Sequence, residues 1–204
     1  MATGELTHTA RTTVRRSERG SHDRERAYSI LDAAMFAHVG FVLDDQPFVL
    51  PMVHARVDDT LYLHGAPGTR LVRTLGAGAP VCVTVTLLDA LVLAKSQMHH
   101  SANYRSVVVL GEARRVRGAE AERALTAIVD HSLPGRSTEA RPPNADELRR
   151  TAVLAVAIEE ASVKVRTGGP VDDEADLGLP VWSGIVPVHT VFGDPEPDAH
   201  SGQR

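Results

Sequence analysis

Leu61-Tyr62-Leu63-His64-Gly65-Ala66-Pro67-Gly68-Thr69-Arg70-Leu71 is the stretch on which the reading of this 204-residue chain turns. Four residues of strand character stop at a Gly-Ala-Pro-Gly turn. Thr69 then offers a side-chain oxygen to cap a short helix, in which Leu71 and Leu75 fall on one face. A strand that gives way to a helix at glycines leaves backbone N–H groups pointing outward at the positive end of a dipole. That is the chemistry of an anion site, and Gly68 lets a phosphate come close. Arg70 sharpens the reading, because a cation in the first helical turn costs about a few tenths of a kcal/mol unless an anion sits beside it. A solvent-exposed arginine near a turn is the other account of the same residue.

Working outward, Ser21 is placed to cap a helix running to Ala34, with Asp23 and Glu25 in its first turn and Ala27, Ile30, Leu31 and Ala34 facing inward. Three extended runs follow, Val39 to Leu43, Phe48 to Val57 and Leu61 to His64, separated by the turn pairs Asp44-Asp45 and Asp58-Asp59. This pattern predicts an antiparallel meander. Beyond the short helix, Val81 to Leu88 and Ala90 to Ala94 read as central strands and Ser106 to Val116 as another. A helix from Ala119 to about His131 turns Ala121, Leu125, Ile128 and Val129 inward. Leu133 to Asn144 reads as a loop, Asp146 to Arg150 as a short helix and Val153 to Val165 as a strand. Gly168, Gly169 and Pro170 open an acidic loop, and Val181 to Val188 is the last ordered piece. Six or seven strands with two or three helices between them predict an α+β, mainly β fold closed or nearly closed into a barrel.

Composition narrows the function. With 43% hydrophobic and 24% charged residues the chain can bury one sizeable core, and its length favours one domain. That domain is expected over 16–190, with a disordered segment at 1–15 and a flexible tail at 191–204. A formal net charge of -4 supplies no global basic field for nucleic acid or an anionic membrane, so any anion site is local. Cys82 is the single cysteine, which excludes an internal disulfide and suits a reducing compartment, the cytoplasm. No apolar run serves as a signal-peptide core or spans a bilayer.

The ordered set Val39-Gly40-Phe41, Phe48-Val49-Leu50-Pro51-Met52, Leu61-Tyr62-Leu63-His64, Gly68-Thr69-Arg70, Val81-Cys82-Val83 and Tyr104-Arg105-Ser106-Val107-Val108-Val109-Leu110-Gly111 resembles the pyridoxamine 5'-phosphate oxidase superfamily. It is similar in particular to the branch that includes the 5-nitroimidazole-resistance reductases, and Val181-Trp182-Ser183-Gly184-Ile185-Val186-Pro187 resembles that branch's closing strand. The resemblance runs from about Arg16 to Val188. It implies an FMN-binding split β-barrel with peripheral helices, a homodimer, and FMN in a groove at the subunit interface. Thr69 and Arg70 resemble the family's phosphate clamp, with His64, Gly65 and Ala66 just before it. Leu50, Pro51 and Met52 correspond to the strand bordering the flavin ring. Arg105 and Ser106 resemble a polar pair reaching the cofactor, from this chain or the partner subunit, and Trp182 belongs to the closing strand. Two departures stand out: Phe48 occupies the place of the oxidase's first phosphate-binding basic residue, and no arginine-rich clamp follows Trp182. Vitamin B6 oxidation is therefore in doubt.

Other chemistry is sparse. The histidines are scattered, and adjacent His99 and His100 would face opposite sides of a strand, so no metal site is expected. His54 reads as a hydrogen-bonded or surface residue, and His189 is a remote candidate for an axial haem ligand, because some split-barrel relatives bind haem. Cys82 reads as a small core residue. Tyr104 and Trp182 stack near the flavin or pack in the barrel or dimer core. Asp172, Asp173, Glu174 and Asp176 read as a solvated loop, with metal binding the second reading although no ligand spacing is defined, and Arg114, Arg115 and Arg117 as a solvated strand end without the interleaved aromatics that stack nucleic-acid bases. No catalytic side chain is assigned. The expected activity is that of an FMN-dependent oxidoreductase, passing electrons from a reduced donor such as NAD(P)H to a small acceptor such as a nitro compound or quinone. A non-catalytic flavin or haem carrier or sensor is the alternative, and a deazaflavin stays open in place of FMN.

Overall fold

Residues 4–201 are described by the computed structural model, and their internal contacts divide the chain into two compact units where length had favoured one domain. The first comprises residues up to Leu88 together with Tyr104–Thr167, and the second Asp89–Asn103 together with the residues from Gly168 on. In chain order the strands are β1 (Gly20–Ser21), β2 (Phe36–Leu43), β3 (Gln46–Val53), β4 (Ala55–Val57), β5 (Thr60–Gly65), β6 (Pro80–Leu93), β7 (Ser101–Val116), β8 (Ala152–Ala157), β9 (Glu160–Arg166) and β10 (Gly184–Pro187). The helices are α1 (Arg24–Ala33), α2 (Arg70–Gly76), α3 (Gly118–Ser132), α4 (Arg136–Glu139) and α5 (Ala145–Arg150). The sheet runs β3-β2-β6-β7-β8-β5-β4, with β9 on β7 and β1 on β9. This is the α+β, mainly β, antiparallel split-barrel arrangement that the sequence predicted.

Local chemistry sets the turns. Asp44 and Asp45 take φ of 51° and 58° between the paired residues Leu43 and Gln46, a two-residue turn whose twist matches the strands it joins. Asp58, at φ 50°, turns β4 into β5 in the same left-handed region, which short polar side chains tolerate. Asp23, not Ser21, caps α1: its carboxylate accepts from Arg26 N at 2.6 Å, while Ser21 Oγ accepts from Asp23 N at 3.0 Å one step earlier.

Strand boundaries moved wherever a strand changes partner. The run expected from Phe48 to Val57 breaks at His54, and the run expected from Val153 to Val165 breaks at Ile158-Glu159. In the second case β8 pairs with β5 and the end of β7, whereas β9 pairs with an earlier part of β7, so one apolar stretch serves two ladders. Val81–Leu88 and Ala90–Ala94, by contrast, form the single strand β6. The expected loop at 133–144 contains the one-turn helix α4. His99 ends a 3-10 turn rather than lying in a strand with His100, which removes the alternating-face argument.

Two cores hold the first unit. Leu61 and Leu63 of β5 join the larger, with Ile30, Leu31, Leu75, Val83, Val109 and Leu154. Tyr62, on the opposite face of β5, joins a smaller core with Val153, Ala155 and the inner face of α3, from Ala121 to Ile128. A strand buried on both faces reads as a continuous apolar run, which is why β8 does. Residues 4–15, expected to be disordered, hold ordered contacts. Leu6 is buried, Leu6 N and Thr7 N each donate at 2.7 Å to His22 O and Glu159 O, and Thr9 caps a 3-10 turn at Ala10–Thr12. One apolar side chain in a polar stretch is too little for a periodic signal, so the sequence did not show it. Met1–Thr3 and Gly202–Arg204 lie outside the described residues.

In the second unit β10 pairs antiparallel with Ala90–Leu93 of β6. Asp172 is not solvated as expected: its side chain is buried and accepts from Lys95 N at 2.8 Å and Ser96 N at 3.3 Å, with the His99 ring beside it. Lys95 Nζ donates to Leu179 O at 2.6 Å and Val181 O at 3.0 Å. From Val191 to Ser201 the chain is exposed and forms neither helix nor strand. No helix among the described residues is long and apolar enough to cross a membrane.

His54 is fully buried and hydrogen-bonded, Nε2 to Leu31 O at 3.1 Å, and its ring lies 4.8 Å from that of His131, whose Nε2 meets Ala34 O at 2.8 Å. Two histidines thus fasten the last carbonyls of α1 to the break between β3 and β4 and to α3. Burial, reinforced by the neighbouring His131, pushes the His54 pKa down to about 4. Its folded pKa lies below its unfolded value near 6.5, so the unfolded state binds the extra proton and stability falls as pH drops through that window, by up to about 1.4 kcal/mol per unit. Urea midpoints measured between pH 6.5 and 5 are expected to fall more steeply for wild type than for His54→Gln. Equal slopes would contradict this account.

Candidate functional site

The turn between β5 and α2 is built around one carbonyl. Ala66 O accepts from Thr69 N at 3.0 Å and from Thr69 Oγ1 at 2.9 Å, and Thr69 Oγ1 in turn accepts from Val72 N at 3.4 Å to cap the helix. Leu71, Val72 and Leu75 bury the inner face of α2 and fix its position. The two glycines of the turn differ in what they permit. A Cβ on Gly65 would come within 3.2 Å of Val72 Cγ2, so that glycine serves the packing of the helix on the strand. A Cβ on Gly68 would meet nothing within 4 Å, so the space over Gly68 is open.

Arg70 begins α2 and is exposed, its guanidinium carbon 4.2 Å from the centroid of the Phe48 ring. Phe48 stacks in turn on Phe41, its cross-strand partner, with centroids 5.6 Å apart. Phe48 is therefore the platform on which Arg70 rests. Among the described residues the guanidinium has no hydrogen bond or ion pair. Phe48 also joins the turn to β3, the strand at the end of the sheet that carries Leu50, Pro51 and Met52. Leu50 and Pro51 are exposed and Met52 half-buried.

His64, opposite Val153 near the end of β5, is half-buried. Its Nδ1 is buried without a partner, and burial lowers its pKa, which keeps the imidazole neutral near pH 7. The structure thus joins β3 to the turn into α2 through Phe48 and Arg70. Arg105 and Ser106 lie on β7 opposite Val165 and Lys164, and Ser106 Oγ donates to Lys164 O at 3.2 Å. Trp182 and His189 belong to the second unit, and both are exposed. The Trp182 ring covers Gly184 so closely that a Cβ there would meet it at 2.8 Å.

Arg114 lies at a solvated strand end as expected, most of its side chain exposed, and its guanidinium donates to Glu120 at 3.0 Å while Tyr62 Oη donates to the same carboxylate at 3.0 Å. One reading needs sharpening. Cys82 is half-buried rather than buried, 3.6 Å from Thr84 Oγ1. The Phe48 platform and the unpartnered His64 nitrogen were not anticipated. The alternation that puts Phe48, Leu50 and Met52 on one face of β3 was the available signal for the first, and nothing in the sequence marks the second.

Comparison with known proteins follows the same lines. A family model for pyridoxamine 5'-phosphate oxidase matches residues 23–165. No curated protein matches the chain. Among solved structures, the flavocytochrome Anf3 of Azotobacter vinelandii is 39% identical with a TM-score of 0.87, the match covering 95% of this chain and 91% of that one. A FAD and heme binding protein of Mycobacterium smegmatis is 35% identical with a TM-score of 0.86, covering 90% and 91% of the two chains. A candidate 5-nitroimidazole antibiotic resistance protein of Bacteroides thetaiotaomicron is 26% identical with a TM-score of 0.61, covering 72% and 86%. Matched over most of its length and folded as a split barrel, the chain belongs to the pyridoxamine 5'-phosphate oxidase family.

Proposed function

We propose that the protein is a flavin-dependent redox protein that holds FMN against β3 and the turn into α2. The observation that carries this reading is Arg70, a cation with no anionic partner among the described residues, held on Phe48 beside the open space over Gly68. Its planar fork can donate two hydrogen bonds to a phosphate, and the ring beneath limits the orientations it must give up on binding. Thr69 fixes the start of the helix, and Gly68 leaves room for the phosphate oxygens. Leu50 and Met52, on the same face of β3 as Phe48, offer an apolar border from which water is excluded when the ring lies against them, and Pro51 between them adds its backbone. A flavin bound there supplies hydride and single-electron chemistry. The proposed flow is from NAD(P)H to a small acceptor such as a nitro compound or quinone, in a homodimer. Phe36 and Val42 on β2 and Val49 on β3, exposed on one face of the pair, suit burial against a second copy.

A haem beside the flavin is the second reading, and His64 favours it. An axial iron ligand must be a neutral imidazole with a free ring nitrogen, and His64 is kept neutral by burial and has no protein hydrogen bond among the described residues. The flavocytochrome and the FAD and heme binding protein support this reading by similarity. His189 lacks such an environment.

Four outcomes are expected. Arg70→Ala should weaken FMN binding by about 1.5 to 3 kcal/mol in a fluorescence titration, the range for a hydrogen bond to a charged group, and unchanged affinity would remove Arg70 from the site. Gly68→Ala should leave the thermal midpoint within about 2 °C of wild type and weaken FMN binding, whereas Gly65→Ala should lower the midpoint itself. Under anaerobic conditions NADH or NADPH should bleach the flavin band of purified protein. If haem binds too, titrated haemin should give a Soret band that shifts in His64→Ala, and a band indifferent to that change would exclude His64 as its ligand.

A further inference from the structure

Within the second unit, Asp172 fastens the segment from Gly168 to Trp182 to the segment from Ala94 to His100. Its side chain, only 4% exposed, accepts from Lys95 N at 2.8 Å and Ser96 N at 3.3 Å. Lys95 Nζ adds a second tie by donating to Leu179 O at 2.6 Å and Val181 O at 3.0 Å, just before Trp182.

His99 stands between the same two segments and is hydrogen-bonded through its ring to neither. It ends the 3-10 turn Gln97–His99, with Nδ1 4.0 Å from Asp172 Oδ1 and Nε2 3.8 Å from Asp173 Oδ2. Both separations are too long for a hydrogen bond, and shortening either to bonding length takes a shift of about 1 Å. Nδ1 is buried and has no hydrogen-bond partner among the described residues. A neutral imidazole carries one N–H and one lone pair, so with a carboxylate at each nitrogen one of the two always meets the lone pair. The imidazolium carries an N–H at both nitrogens, and each then faces an acceptor. Asp173 is the partner free to adjust, since its side chain is 78% exposed.

The remaining charged or titratable groups of the two segments do not alter this. The Lys95 ammonium is held by two carbonyls, His100 Nδ1 meets Ser96 O at 2.9 Å, and Glu174 and Asp176 add further negative charge. We propose that protonation of His99 closes a latch between the turn at Gln97–His99 and the segment from Asp172 to Trp182. The segment is then held tightly in mildly acidic solution and loosens as pH rises through the range in which histidine loses its charge. This device does not depend on the flavin.

Hydrogen exchange of the full chain, read by mass spectrometry as protection factors with the intrinsic pH dependence divided out, tests it. Peptides covering 94–99 and 172–182 should be protected at least fivefold more at pH 5.5 than at pH 8. Burial of His54 acts in the opposite direction, lowering stability as pH falls, so it cannot produce this gain. His99→Gln should abolish the difference, and Asp173→Asn, at an exposed position, should cut it by at least half. Equal protection at the two pH values in wild type, a difference retained in His99→Gln, or one undiminished in Asp173→Asn would overturn the proposal.

Discussion

Arg70 resting on the face of Phe48 is the contact on which the candidate site depends. A cation over an exposed aromatic ring contributes about 0.5 to 1 kcal/mol, and a cation in the first turn of a helix loses about 0.3 to 1 kcal/mol to the dipole. The two nearly cancel, so the stack orients the guanidinium without satisfying it. Its hydrogen-bonding edge stays available because a ring accepts the cation through its face and takes none of the N–H donors. A carboxylate in the place of Phe48 would have consumed the same donors. In the proposed clamp, an aromatic residue at position 48 leaves Arg70 as the single cation, its position set by the ring.

That position is inherited from the barrel. β5 is buried on both faces, Leu61 and Leu63 in one core and Tyr62 in the other, so its end at Gly65 has little freedom. Gly65 then allows Val72 to pack tightly, and Thr69 closes the turn on Ala66 O. Behind the smaller core, His54 and His131 hold the end of α1 by its last carbonyls. The rigidity of a site made of one turn and one edge strand comes from packing at a distance from it, with the exposed groups left to meet a ligand.

Much of this was legible in the sequence. The extended runs of β2 and β5, the Asp-Asp turns and the Gly-to-Thr junction each have a local cause, and each lies where its cause puts it. The strand breaks at His54 and at Ile158-Glu159 were not legible, because a change of partner leaves a run of Val and Ala looking the same on either side. The acidic loop misled for a related reason: Asp172 accepts from backbone N–H groups 76 and 77 residues away in sequence, and only the fold brings them together. Within the site, the Thr69 cap and the place of Arg70 at the start of α2 were readable because capping and dipole rules act over four residues. Phe48 beneath Arg70 and the unpartnered nitrogen of His64 depend on contacts between strands, which no local rule describes.

The most direct test compares FMN with riboflavin, which carries the same ring without the phosphate, in fluorescence titrations of the cofactor-free protein. If the turn into α2 is a phosphate clamp, FMN binds at least tenfold more tightly than riboflavin, and Arg70→Ala removes most of that difference while leaving riboflavin affinity unchanged. Equal affinity for the two flavins in the wild-type protein would contradict the account.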